Sequence, residues 1–147
     1  SDEQLHRWRC VELKHGRVAM AATVGYLYND LQLNFPGTLS PSVGLKFADV
    51  PTGLAATHGF PNSVPIAGWV QIIGFIGVLE TTVFKQDPAK AAGDVGGPFF
   101  KRYADEAEKS EKLISELKNG RLAMIGVASF VSAHYIPDSV PLLPAVV

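Results

Sequence analysis

Residues 12–20, ELKHGRVAM, and residues 116–124, ELKNGRLAM, decide how this chain folds. Seven of the nine positions are identical; only His15 becomes Asn119 and Val18 becomes Leu122. The copies lie 104 residues apart, far beyond the period of a stacked solenoid, so they mark two related halves of one fold. Each copy leads directly into an apolar run, residues 18–28 and 122–136. Alone these runs are short for a bilayer. Extended backward through the charged phrase they reach the ~20 residues a membrane helix needs, which places Glu12, His15, Arg17, Glu116, Asn119 and Arg121 at or inside the membrane edge. Ionisable groups there need partners and are functional candidates.

Working outward, residues 64–84, VPIAGWVQIIGFIGVLETTVF, carry Glu80 as their one formal charge and read as a third membrane helix. A soluble bundle with buried core helices is the competing reading, and charge distribution argues against it. If the chain crosses three times, one side holds 12 of the 13 Lys and Arg residues and only Lys46 lies opposite, the asymmetry expected of short loops flanking membrane helices. The expected architecture is all-α, a single domain over residues 1–147, with helices near 3–29, 64–85 and 105–136 and the first and third crossed as a pseudo-symmetric pair. Residues 29–63, dense in Pro, Gly, Asn and Ser, read as an irregular folded loop, and the tail IPDSVPLLPAVV, with three prolines, stops the third helix. The single Cys10 forms no intrachain disulfide, SDEQLHRWRC shows no cleavable targeting segment, and a net charge of −1 gives no sign of a nucleic-acid partner.

At about 100° per residue, Glu12 and Arg17 stand about 140° apart on their helix and are poorly placed to pair with each other. Crossing the two copies as a symmetric pair lets Glu12 meet Arg121 while Arg17 meets Glu116, neutralising both charges of each pair where the dielectric is low. Gly16, Ala19, Gly120 and Ala123 are small residues that permit such a close approach. His15 and Asn119 lie three residues beyond the glutamates, on nearly the same face, and share one chemical property, a neutral lone pair. A metal with one open axial position inside a macrocycle accepts either.

At these residues the chain resembles the light-harvesting complex superfamily, whose chlorophyll-binding motifs the two copies match. The text GLKFADVPTGLAA and GFIGVLE resembles the chlorophyll a/c-binding branch, of the fucoxanthin or peridinin type, more than the plant a/b branch. The resemblance implies a non-enzymatic antenna subunit of the chloroplast thylakoid membrane, N-terminus stromal and C-terminus lumenal, that absorbs light and passes excitation to a photosystem core. It implies magnesium of chlorophyll a and chlorophyll c ligated by Glu12, His15, Glu116 and Asn119, with Gln71 and Glu80 as further holders on the middle helix. It places carotenoids, of the peridinin, fucoxanthin or diadinoxanthin type, in grooves beside Gly16, Ala19, Met20, Gly120, Ala123 and Met124, with structural lipids, the core of photosystem I or II and neighbouring antenna subunits as partners. The chain departs from the family pattern in three places. Ala133 stands where a third-helix Gln or His ligand is often found, so His134 takes that role after a local register shift. Glu80 lacks an arginine one turn later, where Val83 stands, leaving Lys85 as the nearest cation. The tail lacks an amphipathic terminal helix. His58 is expected to cap a turn.

Other functions are weaker readings. A photoprotective quencher sensing acidification would have only Asp30, Asp49, Asp138, His58 and His134 on the side opposite the positive charges. A transporter wants broken helices around a midplane site, and a haem-binding redox protein wants paired axial histidines where this chain pairs His15 with Asn119.

Overall fold

The structure is a computed structural model, and it describes residues 1–58, 63–95, 103, 105–136 and 138–141. Three long helices dominate: α1 (Asp2–Asp30), α3 (Ile66–Thr82) and α4 (Glu106–Tyr135). Between α1 and α3 lie a small antiparallel hairpin, β1 (Thr38–Ser40) with β2 (Leu45–Lys46), a 3-10 turn (Phe47–Asp49) and the one-turn helix α2 (Ala55–His58).

The helix ends follow local chemistry. Asp2 and Glu3 in the first turn of α1, and Glu106 and Glu108 in that of α4, complement the positive N-terminal end of the helix dipole. The Asp105 carboxylate accepts from the Ala107 N–H at 3.0 Å, satisfying an orphan donor at the start of α4. At the end of α1 the Leu33 N–H reaches back to the Tyr28 carbonyl and the Gln32 N–H to the Asn29 carbonyl, the pair of bonds that defines a Schellman stop. Gln32, with φ of 52°, fills the left-handed position that usually belongs to glycine. Helix α4 stops two residues before Pro137.

The chain forms two compact units. The first comprises Ser1–Met20 and Ile72–Met124, the second Ala21–Gln71 and Ile125–Val147, so α1, α3 and α4 each contribute a segment to both. In the first unit, Leu13, Gly16 and Ala19 of α1 and Gly120 of α4 are buried. In the second, Tyr26 stacks on Phe130 with ring centroids 4.4 Å apart, and Tyr28, Phe35 and Phe47 form a chain of ring contacts beside the hairpin, where Leu45 is buried.

Three expectations need correction or refinement. The first and third helices fall within a residue of the expected bounds at either end, but the middle helix covers Ile66–Thr82 rather than 64–85. The single Pro65 carbonyl accepts from the Gly68 and Trp69 N–H groups but Pro65 has no N–H of its own, and the chain closes at the far end when the Phe84 N–H bonds to the Leu79 carbonyl. The connection 29–63 is not wholly irregular: it contains the hairpin and α2, elements too short to show periodicity. Among the described residues no helix is both long enough and apolar enough to cross a membrane, because α3 has 17 residues and the longer α1 and α4 carry the charged motifs. Helix α3 nevertheless has no buried residue, and Ile66, Val70, Ile73 and Phe75 are each more than 60% exposed, apolar surface around the helix that solvent does not favour.

Candidate functional site

The first unit brings the two copies of the repeated phrase together through their glycines. A Cβ built on Gly16 would lie 3.0 Å from the Gly120 Cα, and one built on Gly120 would lie 3.0 Å from the Gly16 Cα. The helices thus touch backbone to backbone, and the space left among Glu12, Leu13, Gly16, Met20, Gly120 and Met124 is too small for a water molecule. The two glycines belong to the crossing itself. Of the six residues expected to line a carotenoid groove, Ala19 is also buried, while Met20, Ala123 and Met124 are half-buried.

Two reciprocal ion pairs flank this contact. Arg121 donates to Glu12 Oε1 through Nε at 2.7 Å and Nη2 at 2.6 Å. Arg17 donates through Nε to Glu116 Oε1 at 2.5 Å, and through Nη1 to the Gly93 carbonyl at 2.9 Å. Side-chain exposure is 28% for Glu12 and 27% for Glu116, against 56% for Arg121 and 33% for Arg17. Gly93 is held at φ of 82° close against Leu13, and its N–H donates to Gln86 Oε1, so the connection after α3 is fastened to the Arg17 pair.

His15 and Asn119 are both exposed, and each is steadied by the residue group one turn back. His15 Nδ1 lies 2.8 Å from the Val11 carbonyl. A carbonyl can only accept, so Nδ1 carries the proton, and in the neutral ring Nε2 keeps its lone pair for an outside partner. Asn119 Nδ2 donates to Ser115 Oγ at 3.3 Å, which leaves the amide oxygen for the same purpose. Two different side chains therefore present an oriented neutral base at equivalent positions. Among the described residues no three His, Cys, Asp or Glu side chains converge as a metal-chelating group; these are single donors, suited to a metal that brings its other ligands with it.

The remaining expected site residues are placed separately. Gln71 is exposed on α3. Glu80, near the C-terminal end of α3, pairs with Lys14 of α1 rather than with Lys85, the cation nearest in sequence. His134 sits in the last turn of α4, half-buried and edge-on to Tyr135 at 5.1 Å, directly after the buried Ala133. The side chain of His58 and residues 142–147 of the tail lie outside the described residues; among the described residues no further helix follows α4.

Sequence reasoning missed a second feature. The second unit forms an open cleft of about 430 Å³, lined mostly by apolar and aromatic side chains, among them Tyr26, Tyr28, Phe35, Phe47, Asn29 and Trp69. Asn29 Oδ1 and Trp69 Nε1 are buried there without a hydrogen-bond partner. A buried acceptor and a buried donor left unpaired both cost free energy, and a hydroxyl on an incoming ligand satisfies either. No local pattern marks these residues, which come from α1, the hairpin region and α3.

Backbone-touching helices, reciprocal ion pairs and outward-facing single bases define a class: a duplicated helical scaffold with single lone-pair donors on its flanks. The sequence pattern of the chlorophyll A-B binding protein family matches residues 1–135. Fucoxanthin-chlorophyll a-c binding protein D, chloroplastic, of Macrocystis pyrifera is 40% identical over 135 residues, covering 88% of this chain and 71% of that protein. Fucoxanthin-chlorophyll a-c binding protein F of the same alga is 41% identical over 85% of this chain and 59% of its own length. The corresponding protein B of Phaeodactylum tricornutum is 36% identical over 98% of this chain and 71% of that protein. The chain belongs to the chlorophyll a-b binding protein family.

Proposed function

We propose that the chain is a light-harvesting antenna subunit that binds chlorophylls a and c with a fucoxanthin-type carotenoid, in the thylakoid membrane of a chloroplast. The observation that carries this reading is the pair of oriented neutral bases, His15 Nε2 and Asn119 Oδ1, beside carboxylates already neutralised by arginine on another helix. Each provides a fifth ligand to a magnesium whose macrocycle supplies four nitrogens, and none adds net charge in a low-dielectric setting. Bound chlorophyll and carotenoid supply absorption and excitation transfer; the protein sets their spacing, orientation and local polarity.

The helical segments do this in place of catalysis. Glu12 and Glu116 hold the frame, Glu116 with its second oxygen free and Glu12 with Arg9 Nε 3.8 Å from its own, Gln71 and His134 extend the donor set, and Met20, Ala123 and Met124 flank the crossing where a polyene packs. The cleft of the second unit takes an oxygenated ring: an engineered cavity of about 150 Å³ holds benzene, so 430 Å³ holds a substituted ring with part of its chain, with Trp69 Nε1 donating to its oxygen and Asn29 Oδ1 accepting from its hydroxyl.

In this reading residues 1–147 act as one antenna domain with three membrane crossings, N-terminus stromal and C-terminus lumenal. Helix α3, about 25 Å long at 1.5 Å per residue, crosses with its apolar surface covered by pigments and lipid, and neighbouring antenna subunits and a photosystem core receive the excitation. The test is reconstitution of the chain with chlorophylls a and c and fucoxanthin in detergent. Carotenoid-band light emerging as chlorophyll fluorescence supports the proposal. A chain that retains no chlorophyll through purification overturns it.

A further inference from the structure

The contact between Lys14 and Glu80 was not foreseen, and it assigns a role to a residue that neither the repeat nor the reciprocal pairs explain. Lys14 Nζ meets Glu80 Oε2 across 66 residues of sequence, joining α1 to α3 within the first unit. On α1, Lys14 stands about 160° from Gly16, so the helix turns its glycine to α4 and its lysine to α3. Glu80 is the one formally charged residue in residues 64–84, and the nearby alternatives do not serve it: Val83 is apolar, and Lys85 makes no ion pair among the described residues.

Glu80 thereby joins a pattern. Glu12, Glu116 and Glu80 each pair through one oxygen with a cation of another helix: Arg121, Arg17 and Lys14. A carboxylate so engaged is a neutral unit; at Glu12 the second oxygen also lies 3.8 Å from Arg9 Nε of the same helix, whereas at Glu116 and Glu80 it meets no cation among the described residues. At Glu80 that oxygen is Oε1, which takes no part in the lysine contact. The repeat supplies an internal control. Lys118 occupies the position equivalent to Lys14 in the second copy, is exposed, and has no ion pair among the described residues. The lysine of the phrase is therefore not required by the crossing, since one copy uses it on α3 and the other does not.

We infer that Lys14 is the positioning residue that makes Glu80 a charge-neutral ligand for a chlorophyll magnesium on α3, so that this pigment site is built by two helices and not by α3 alone. The inference rests on the pigment-binding reading above and adds a residue to it. Its chemistry is charge balance. The Lys14 ammonium offsets the carboxylate charge, so the pair presents Glu80 Oε1 as part of a neutral unit.

The experiment is reconstitution of the 147-residue chain with chlorophyll a, chlorophyll c and fucoxanthin, reading chlorophylls per polypeptide by extraction and the low-temperature absorption difference spectrum. Lys14→Met is expected to lose about one chlorophyll per chain, with the same difference band as Glu80→Leu. Lys14→Arg and Lys118→Met keep the full complement. The decisive variant is Lys14→Met with Glu80→Gln, in which a neutral amide oxygen needs no counter-cation: it recovers the lost chlorophyll. Lys14→Met with an unchanged pigment count, loss spread evenly over all pigments, or no recovery in the double variant each overturns the inference while leaving the antenna reading standing. A wild-type chain that takes up no chlorophyll overturns both.

Discussion

Replacing Gly16 by alanine tests the helix crossing directly. The added Cβ would lie 3.0 Å from the Gly120 Cα, whereas carbon atoms rest at about 3.5–4.0 Å, so the backbones must part by roughly 0.5–1 Å. Overpacking of this kind costs about 1–3 kcal/mol, and the better helix propensity of alanine returns about 0.5–1 kcal/mol. The net destabilisation is roughly 0–2.5 kcal/mol, a fall in melting temperature of up to about 10 °C for a chain of this size. Gly120→Ala meets the mirror-image contact and should match it. The double variant should cost less than the sum, since helices already parted by one Cβ admit the second more easily. Gly126→Ala is the control on α4, where an added Cβ meets nothing within 4 Å; it should melt at or above the parent. The assay is thermal unfolding of the pigment-free chain in detergent, followed by circular dichroism. Gly16→Ala melting as high as Gly126→Ala would refute the backbone-contact account.

Three further outcomes are expected. On the proposed function, His15→Asn should keep the chlorophyll, because Asn119 presents an equivalent neutral lone pair in the other copy, while His15→Leu should lose about one chlorophyll per reconstituted chain by pigment extraction. Trp69→Phe removes the Nε1 donor from the second unit's cleft and should weaken carotenoid retention about two- to tenfold, the worth of one neutral hydrogen bond, as read by competition during reconstitution. Gly93→Ala forces a side chain into φ of 82° and brings a Cβ to 2.8 Å from Leu13 Cδ1; a loss of at least ~1–2 kcal/mol by thermal unfolding follows from the left-handed backbone alone.

How much of this was legible in the sequence depended on symmetry. The duplicated phrase put Glu12 opposite Arg121 and Glu116 opposite Arg17 because a symmetric crossing leaves those charges few other partners, and the glycines within the phrase gave the contact point. The long helices were likewise visible, since their apolar runs and polar punctuation extend over many turns. What symmetry does not govern stayed hidden. Lys14 and Glu80 are far apart in sequence and only one copy makes such a pair, so no repeat points to it. The expectation of Lys85 rested on sequence proximity, which a helix end need not respect. The cleft around Asn29 and Trp69 is assembled from three elements, and an unpaired buried atom is a property of packing that residue types do not announce. The hairpin escaped because three residues against two provide too little alternation to read.

The double engagement of Arg17 carries one more consequence. Its Nε holds Glu116 while its Nη1 holds the Gly93 carbonyl, and it is 33% exposed; Arg121, bound to Glu12, is 56% exposed. Dissolved ions screen exposed charges far more than sheltered ones. Raising the ionic strength should therefore loosen the Arg121–Glu12 pair first and leave the Arg17–Glu116 pair in place. The duplicated frame has one hinge sensitive to its ionic surroundings and one bolted shut by a loop, so two halves that began as copies need not respond alike to the same bath.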